Sequence, residues 1–235
     1  MMELSKRLQA VADMVTPGMR LADIGTDHAY IPIYLVEQNV IPEAIAMDIN
    51  KGPLERAEEH IREYGFEKRI QTRLSDGLQK LEAGEADAMI AAGMGGALVI
   101  KILEDRSDVA KRLKELILQP QSELAKVRVY LLENGYQIVG ENMVLEDRKY
   151  YPMMKVLPCQ EEDAAIYAPE ELEYGRWLLR DANPVLKQFL EREIQINEGI
   201  IESLNVQQTE RAKCRQDEIL KKNTEIRQVL EKYFK

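Results

Sequence analysis

Histidine and cysteine are scarce in this 235-residue chain, with two of each. Cys159 and Cys214 lie far apart and have no neighbouring histidine or second cysteine, so zinc-ligand spacing is absent and both read as unbridged thiols. No metal site is expected. Uninterrupted apolar runs of about 18 residues are also lacking, and the first residues, MMELSKRLQAVADMV, have charge where a signal peptide would have its apolar centre. The expectation is a cytoplasmic protein with no membrane contact. Basic charge is not in excess either: the net charge of -9 argues against a protein that coats nucleic acid through its overall charge, although it leaves room for a local basic face. No internal repeat or low-complexity tract organises the chain.

What is present fits one sizeable core with an appendage, at 45% hydrophobic and 31% charged residues. Short apolar runs alternate with helical patterns from Met19 to about Leu157, the signature of βα units. The expected strands are RLADI, AIAMDI, IQTRLS, ADAMIAAG, ELILQ, YQIVGENMVL and YYPMMKVL. Helices are expected near Ile31 to Gln38, Pro53 to Tyr64, Leu78 to Glu82, Ala97 to Asp105 and Glu123 to Asn134. This pattern predicts a largely parallel sheet covered on both faces. The last two strands are separated only by a short polar turn and should pair as an antiparallel hairpin.

Composition changes near Pro158, where an acidic, proline-containing stretch leads into helix formers, dividing the chain into residues 1–158 and 159–235. In the second part, Ile194, Ile201 and Leu204, then Ile219, Ile226, Val229 and Leu230, recur at helical spacing. They predict a long antiparallel helical pair, connected near Asn205 to Thr209. Its second helix is locally basic, through Arg211, Lys213, Arg215, Lys221 and Lys222 among others. An ordinary solvated face and a nucleic-acid contact both account for this charge.

Ligands of open α/β sheets bind outside the carboxyl ends of the strands, which directs attention to the strand ends. The first is DIGTDHAYIP, from Asp23 to Pro32. Gly25 allows a tight turn and close approach of a ligand to the backbone. The positions where a dinucleotide pyrophosphate loop would want glycine hold Asp27 and Tyr30, and a phosphate would meet the negative charge of Asp27. An ammonium group would be favoured there, as carried by S-adenosylmethionine. Asp48 ends the second strand at the interval suited to ribose hydroxyls, and Asp76 with Gly77 follows the third, where a carboxylate can accept from an adenine amine. Both aspartates could instead cap following helices. AAGMGG, Ala91 to Gly96, ends the fourth strand with little side-chain bulk around Met94, suited either to a flat base or only to the turn.

LSKRL, ADIGTDHAYIP, DGL, AGMGG and LQP, taken together along the chain, resemble the bacterial TrmK family of tRNA adenine-N1 methyltransferases acting at position 22. The resemblance implies a class I, Rossmann-like methyltransferase sheet with a terminal antiparallel hairpin, followed by an all-α coiled-coil domain. It implies S-adenosylmethionine as cofactor and tRNA as partner. By carry-over, Gly25, Asp27 and His28 would shape the methionine end of the cofactor, Asp48 would take the ribose, and Asp76 with Gly77 would meet the adenine; Asp23, Ile49, Ala92, Gly93 and Gly95 are counted with them as cofactor-binding candidates. Gly93 to Gly96 would line the transfer site, with Met94 among the catalytic candidates. Asp27 could stabilise developing positive charge, Tyr30 could stack on a flipped base, and His28 could orient the acceptor or cap a helix. Lys6, Arg7 and the basic C-terminal helix are the candidates for phosphate contacts, with an Arg7–Glu3 pair on one helix as the simpler role for Arg7. A monomer is expected. A nicotinamide-dependent oxidoreductase and a non-catalytic adaptor holding S-adenosylmethionine are the competing readings; the first lacks its glycine-rich turn.

Overall fold

The computed structural model describes residues 2–159, 166–205 and 209–235. They fall in two compact units, Met1–Ala168 and Pro169–Lys235. The last strand ends at Pro158, the units divide between Ala168 and Pro169, and residues 160–165 lie outside the described residues.

The first unit runs α1 (Lys6–Ala12), β1 (Leu21–Ile24), α2 (Tyr30–Glu37), β2 (Ala44–Asp48), α3 (Lys51–Glu63), β3 (Ile70–Leu74) and β4 (Ala88–Met94). It continues through α4 (Gly96–Asp105), α5 (Ser107–Ala110), β5 (Glu115–Pro120), α6 (Leu124–Glu133), β6 (Tyr136–Glu146) and β7 (Lys149–Pro158). The seven strands form one mixed sheet in the order β3-β2-β1-β4-β5-β7-β6. Pairings among β1 to β5 are parallel, while β7 is antiparallel to both β5 and β6.

Burial explains the strand patterns. All four residues of β1 and all six of β5 are buried, so neither central strand shows the alternation of a half-exposed strand. Edge strand β3 buries Ile70 and leaves Gln71 and Leu74 exposed. The β6–β7 turn uses Asp147 and Arg148 at φ +48° and +62°, the left-handed pair of a two-residue turn whose twist matches its strands.

The helix expected at Leu78 to Glu82 is absent. That stretch forms successive turns, with Gln79 N–H donating to Asp76 C=O, Leu81 N–H to Leu78 C=O, and Lys80 N–H to Ser75 Oγ. Gly77 and Gly84, at φ +53° and +90°, bracket the segment in left-handed backbone, leaving too few residues for a stable helix.

Helix α1 packs against β6, and the chain from Arg7 to Thr16 runs against the direction of β5, because Arg7 meets Gln119 near the end of that strand whereas Thr16, beyond the helix, meets Glu115 at its start. Ser5 caps α1 by accepting from Leu8 N–H. Behind it, Thr16 donates from backbone and hydroxyl to the buried Glu115, which Lys155 Nζ of β7 also contacts at 2.9 Å. This network holds the end of α1 on the sheet and thereby sets where Arg7 emerges.

The second unit contains α7 (Pro169–Tyr174), α8 (Arg176–Arg180), α9 (Pro184–Asn205) and α10 (Glu210–Tyr233). Asn205 bonds Gln216, while Asn197 bonds Asn223, so α9 and α10 run antiparallel. The seam buries Leu190, Ile219, Ile226 and Val229, with Ile194, Ile201, Leu204 and Leu230 half-buried. A buried polar pair interrupts it, with Asn197 Nδ2 donating to Asn223 Oδ1 over 2.7 Å. Displacing either helix by a turn would strand both amides, which fixes the register. Asn205 closes α9 and Thr209 caps α10; residues 206–208 of the expected connection lie outside the described residues.

Candidate active site

The carboxyl ends of β1 and β4 open onto a cavity of about 210 Å³. Its wall includes Arg7, Leu8, Asp23, Gly25, Thr26, Asp27, Tyr30, Ile31 and Ala92. Gly25 makes the turn out of β1 at φ +73°, and a Cβ there would approach Met94 Cε to 3.0 Å. The missing side chain therefore leaves the space in which the Met94 methyl lies.

Asp23 is buried, with Thr26 Oγ1 donating to its Oδ2 over 2.7 Å. Burial, with a smaller repulsion from Asp48, pushes its carboxyl pKa up to about 6, while the Thr26 bond acts in the opposite direction. No cation pairs with Asp23 among the described residues, so a buried carboxylate faces the cavity in need of positive charge. Asp27 is exposed instead, lying 3.2 Å from Arg56 Nη2 and 3.4 Å from His28 Nε2.

His28 and Ala29 both occupy left-handed backbone, at φ +63° and +54°, before α2 begins at Tyr30. The His28 ring does not cap that helix: Ala29 is the cap residue and receives no side-chain bond. The ring stacks at 5.1 Å on Tyr30 and at 5.1 Å on His60 of α3, and Tyr30 and His60 are 5.3 Å apart. His60 Nδ1 also sits 3.1 Å from the His28 carbonyl, which can only accept, so Nδ1 is the protonated nitrogen. Both histidines of the chain thus meet at one turn. His60 carried no local sequence signal, because helix α3 brings it from 32 residues away.

Asp48 Oδ1 accepts from Asn50 N–H over 2.7 Å; Asn50 itself occupies the cap position of α3 and gives no side-chain cap. Ile49 beside it is 58% exposed, an apolar surface open at the strand end. Asp76 is exposed, 3.9 Å from Lys101 Nζ, and no helix follows for it to cap. Gly77 packs against Ile102, whose Cγ1 would lie 2.8 Å from an added Cβ.

Gly93 is more than a turn residue. It sits at φ +82° where the β4–β5 register skips from Ala92 to Met94, forming a bulge that aims its N–H at Gln119 Oε1, 3.1 Å away. Gly95 caps α4 in extended backbone.

Arg7, a candidate phosphate contact, stands at this cavity. It is half-buried in the cavity wall, with Nη1 donating to Gln119 Oε1 over 3.0 Å and the guanidinium 5.4 Å from the centre of the Tyr151 ring. Glu3 does not pair with it; Glu146 accepts from its backbone N–H at 3.4 Å. Lys6 remains exposed and bonds the Leu145 carbonyl. On α10, Arg211, Lys213 and Lys221 are exposed without an ion pair among the described residues. Arg215 is instead engaged by Glu218 at 2.8 Å, and Lys222 approaches Glu193 at 3.9 Å.

The described residues contain no cluster suited to a metal ion and no helix long and apolar enough to cross a membrane. A methyltransferase-domain family model matches residues 4–154. The tRNA (adenine(22)-N(1))-methyltransferase of Bacillus subtilis is 36% identical over 207 residues, covering 87% of each chain. Streptococcus pneumoniae Sp1610, solved with S-adenosyl-L-methionine, is similar at TM-score 0.85 and 32% identity, over 97% of this chain and 100% of that one. M. capricolum TrmK, solved with S-adenosyl-homocysteine, is similar at TM-score 0.82 and 28% identity, over 98% and 99%. Sequence likeness and fold agree along nearly the whole length, and the chain belongs to the methyltransferase family that includes the Bacillus subtilis tRNA (adenine(22)-N(1))-methyltransferase.

Proposed function

We propose that this protein is an enzyme that transfers the methyl group of S-adenosylmethionine to N1 of the adenine at position 22 of tRNA. The observation that carries the reading is Asp23, a buried carboxylate without a cationic partner among the described residues, facing a cavity where the relatives' cofactor chemistry supplies an ammonium group. The residues present fit that group. Gly25 opens the approach, Asp27 adds negative charge at the rim, and His28 completes the methionine end. Asp48 takes ribose hydroxyls above the Ile49 surface, and Asp76 with Gly77 meets the adenine.

When bound, S-adenosylmethionine supplies a methyl group activated by its sulfonium. Adenine N1 carries an in-plane lone pair, so the protein need not remove a proton before attack, and alignment provides most of the acceleration. Ala92, Gly93, Met94 and Gly95 leave room for a flat acceptor base. The His28–Tyr30–His60 stack presents a pre-ordered aromatic surface on which a base taken out of its helix can rest. Asp27 stabilises the positive charge that develops on the methylated base.

Residues 1–158 form the S-adenosylmethionine-binding domain and residues 159–235 the tRNA-contacting tail, with α9 and α10 as a two-helix coiled coil. Arg211, Lys213 and Lys221 are its best-placed phosphate contacts, joined by Lys6 on α1 and more weakly by Arg215 and Lys222. The enzyme acts as a cytoplasmic monomer without a metal. Incubation with unmodified tRNA and methyl-labelled S-adenosylmethionine, followed by nucleoside analysis, should give label in 1-methyladenosine that is lost when adenine 22 is replaced. Label that survives the replacement refutes the address, and absence of label from folded, cofactor-bound protein refutes the reaction.

A further inference from the structure

We propose that the β6–β7 hairpin is a phosphate contact for tRNA, with Arg148 at its tip and Lys149 beside it holding the RNA backbone near the mouth of the methyl-transfer cavity. The inference rests on the tRNA reading and gives a role to two residues of the first unit that lie outside the basic set of α10.

Strand register carries this hairpin past the ligand edge of the sheet. β7 is antiparallel to β5 with Leu118 opposite Met154, so two residues further on Pro120, the end of β5, comes level with Pro152. Lys149 to Tyr151 and their partners Val144 to Glu146 therefore project beyond that end, by about 10 Å at roughly 3.3 Å per residue. The root of the projection is fixed. Val144 is buried and Tyr151 packs on the same core, while α1 holds the other strand through Lys6 Nζ on the Leu145 carbonyl at 3.3 Å and Arg7 N–H on Glu146 Oε1 at 3.4 Å. Tyr151 also faces the guanidinium of Arg7 in the cavity wall, and Lys149, two residues before it, shares its face of β7. A basic path thus leads from the cavity wall through Lys6 and Lys149 to Arg148.

Turn chemistry singles out Arg148. Two-residue hairpin turns need left-handed backbone at both positions and favour Asn-Gly or Asp-Gly. Asp147, at φ +48°, meets that preference, but Arg148, at φ +62°, stands where glycine is favoured and its Cβ strains the turn. Nothing within the fold offsets the strain: Arg148 and Lys149 are exposed, and neither side chain has an ion pair or hydrogen bond among the described residues. Of the neighbouring acids, Glu146 is engaged by the Arg7 N–H, and Asp147 is the residue the turn itself calls for. Unpaired cations on a fixed support fit a polyanion. A chain of net charge -9 repels RNA overall, so local cations beside the site are needed to hold it. Contacts to phosphate carry no sequence information, and the hairpin therefore positions the tRNA and does not read it.

Arg148→Gly is the deciding variant, because it removes the charge and relieves the backbone together. Binding of unmodified tRNA to the full chain, measured across salt concentrations, should weaken by about three- to tenfold at 0.1 M salt, and the slope of log affinity against log salt should flatten by about 0.7 to 0.9, the share of one phosphate. Adding Lys149→Gln should flatten it about as much again. Methyl transfer should show a raised KM for tRNA with kcat retained, while S-adenosylhomocysteine affinity is unchanged and Tm is unchanged or higher. Arg148→Lys, which keeps the charge, should retain most of the tRNA affinity. Unaltered tRNA affinity in the double variant, weakening with no change of salt slope, or weakening accompanied by a lower Tm overturns the proposal. Wild-type protein that binds S-adenosylhomocysteine but not tRNA refutes the tRNA reading, and this inference with it; wild-type tRNA binding that ignores both hairpin substitutions refutes this inference alone.

Discussion

Lowering the pH from 7 to 5 should weaken S-adenosylhomocysteine binding through one identifiable carboxyl group. Asp23 is buried with a pKa raised to about 6, so at pH 7 it is mostly ionised and at pH 5 mostly protonated. If the bound ligand's ammonium requires the carboxylate, binding at pH 5 must first release that proton. The ligand's amine, at an ordinary α-amino pKa near 8, stays largely charged across the interval. The ionised fraction falls by about tenfold, so affinity should fall by about tenfold, roughly 1.4 kcal/mol. Calorimetry in two buffers of different ionisation enthalpy should show close to one proton released at pH 5 and few at pH 7. Asp23→Asn, which retains an acceptor for Thr26, should abolish this component. No proton release at pH 5, or an undiminished pH effect in Asp23→Asn, would refute the reasoning. The same shift affects stability with a definite sign. The folded carboxyl is raised above its unfolded value, so its favourable contribution is complete below about pH 4 and is lost as pH rises through about 6. Asp23→Asn should therefore stabilise the ligand-free protein at pH 7, by at most about 3 kcal/mol, measurable as a higher Tm.

Three further outcomes are expected. Asp48→Ala should lower S-adenosylhomocysteine affinity by about 10- to 100-fold with the fold intact, and unchanged affinity would remove Asp48 from the ribose role. Gly96→Ala should destabilise the first unit by about 1–3 kcal/mol in denaturant, because its Cβ would press on the Ser122 carbonyl oxygen and reach Val127 Cγ2 at 3.0 Å; an unchanged midpoint contradicts this packing. His60→Ala should reduce kcat for methyl transfer by about tenfold with less effect on cofactor affinity, and His60→Phe, which keeps a ring in the stack, should recover part of it. Equal kcat in both variants would show that stacking does not position His28 and Tyr30.

The amino-acid sequence alone determined the succession of strands, the location of candidate ligand residues at their carboxyl ends, and the helical tail. Those features are encoded locally: apolar runs buried on both faces, Gly25 at a turn, and aspartates where strands stop. The expected helix at Leu78 to Glu82 failed because local helix formers between two left-handed glycines could not propagate a turn. Tertiary structure decided the rest. Arg7 reads as a surface base until α1 packs on the sheet and brings it to Gln119, 112 residues away. His60 reads as one more position in a charged helix until α3 places it against His28 and Tyr30. Asp23 resembles Asp27 and Asp48 in sequence, yet of the three only Asp23 is buried, and that burial raises its carboxyl pKa. Propensity and motif spacing depend on residues adjacent in the chain, whereas desolvation and side-chain pairing depend on what folding brings within a few ångströms.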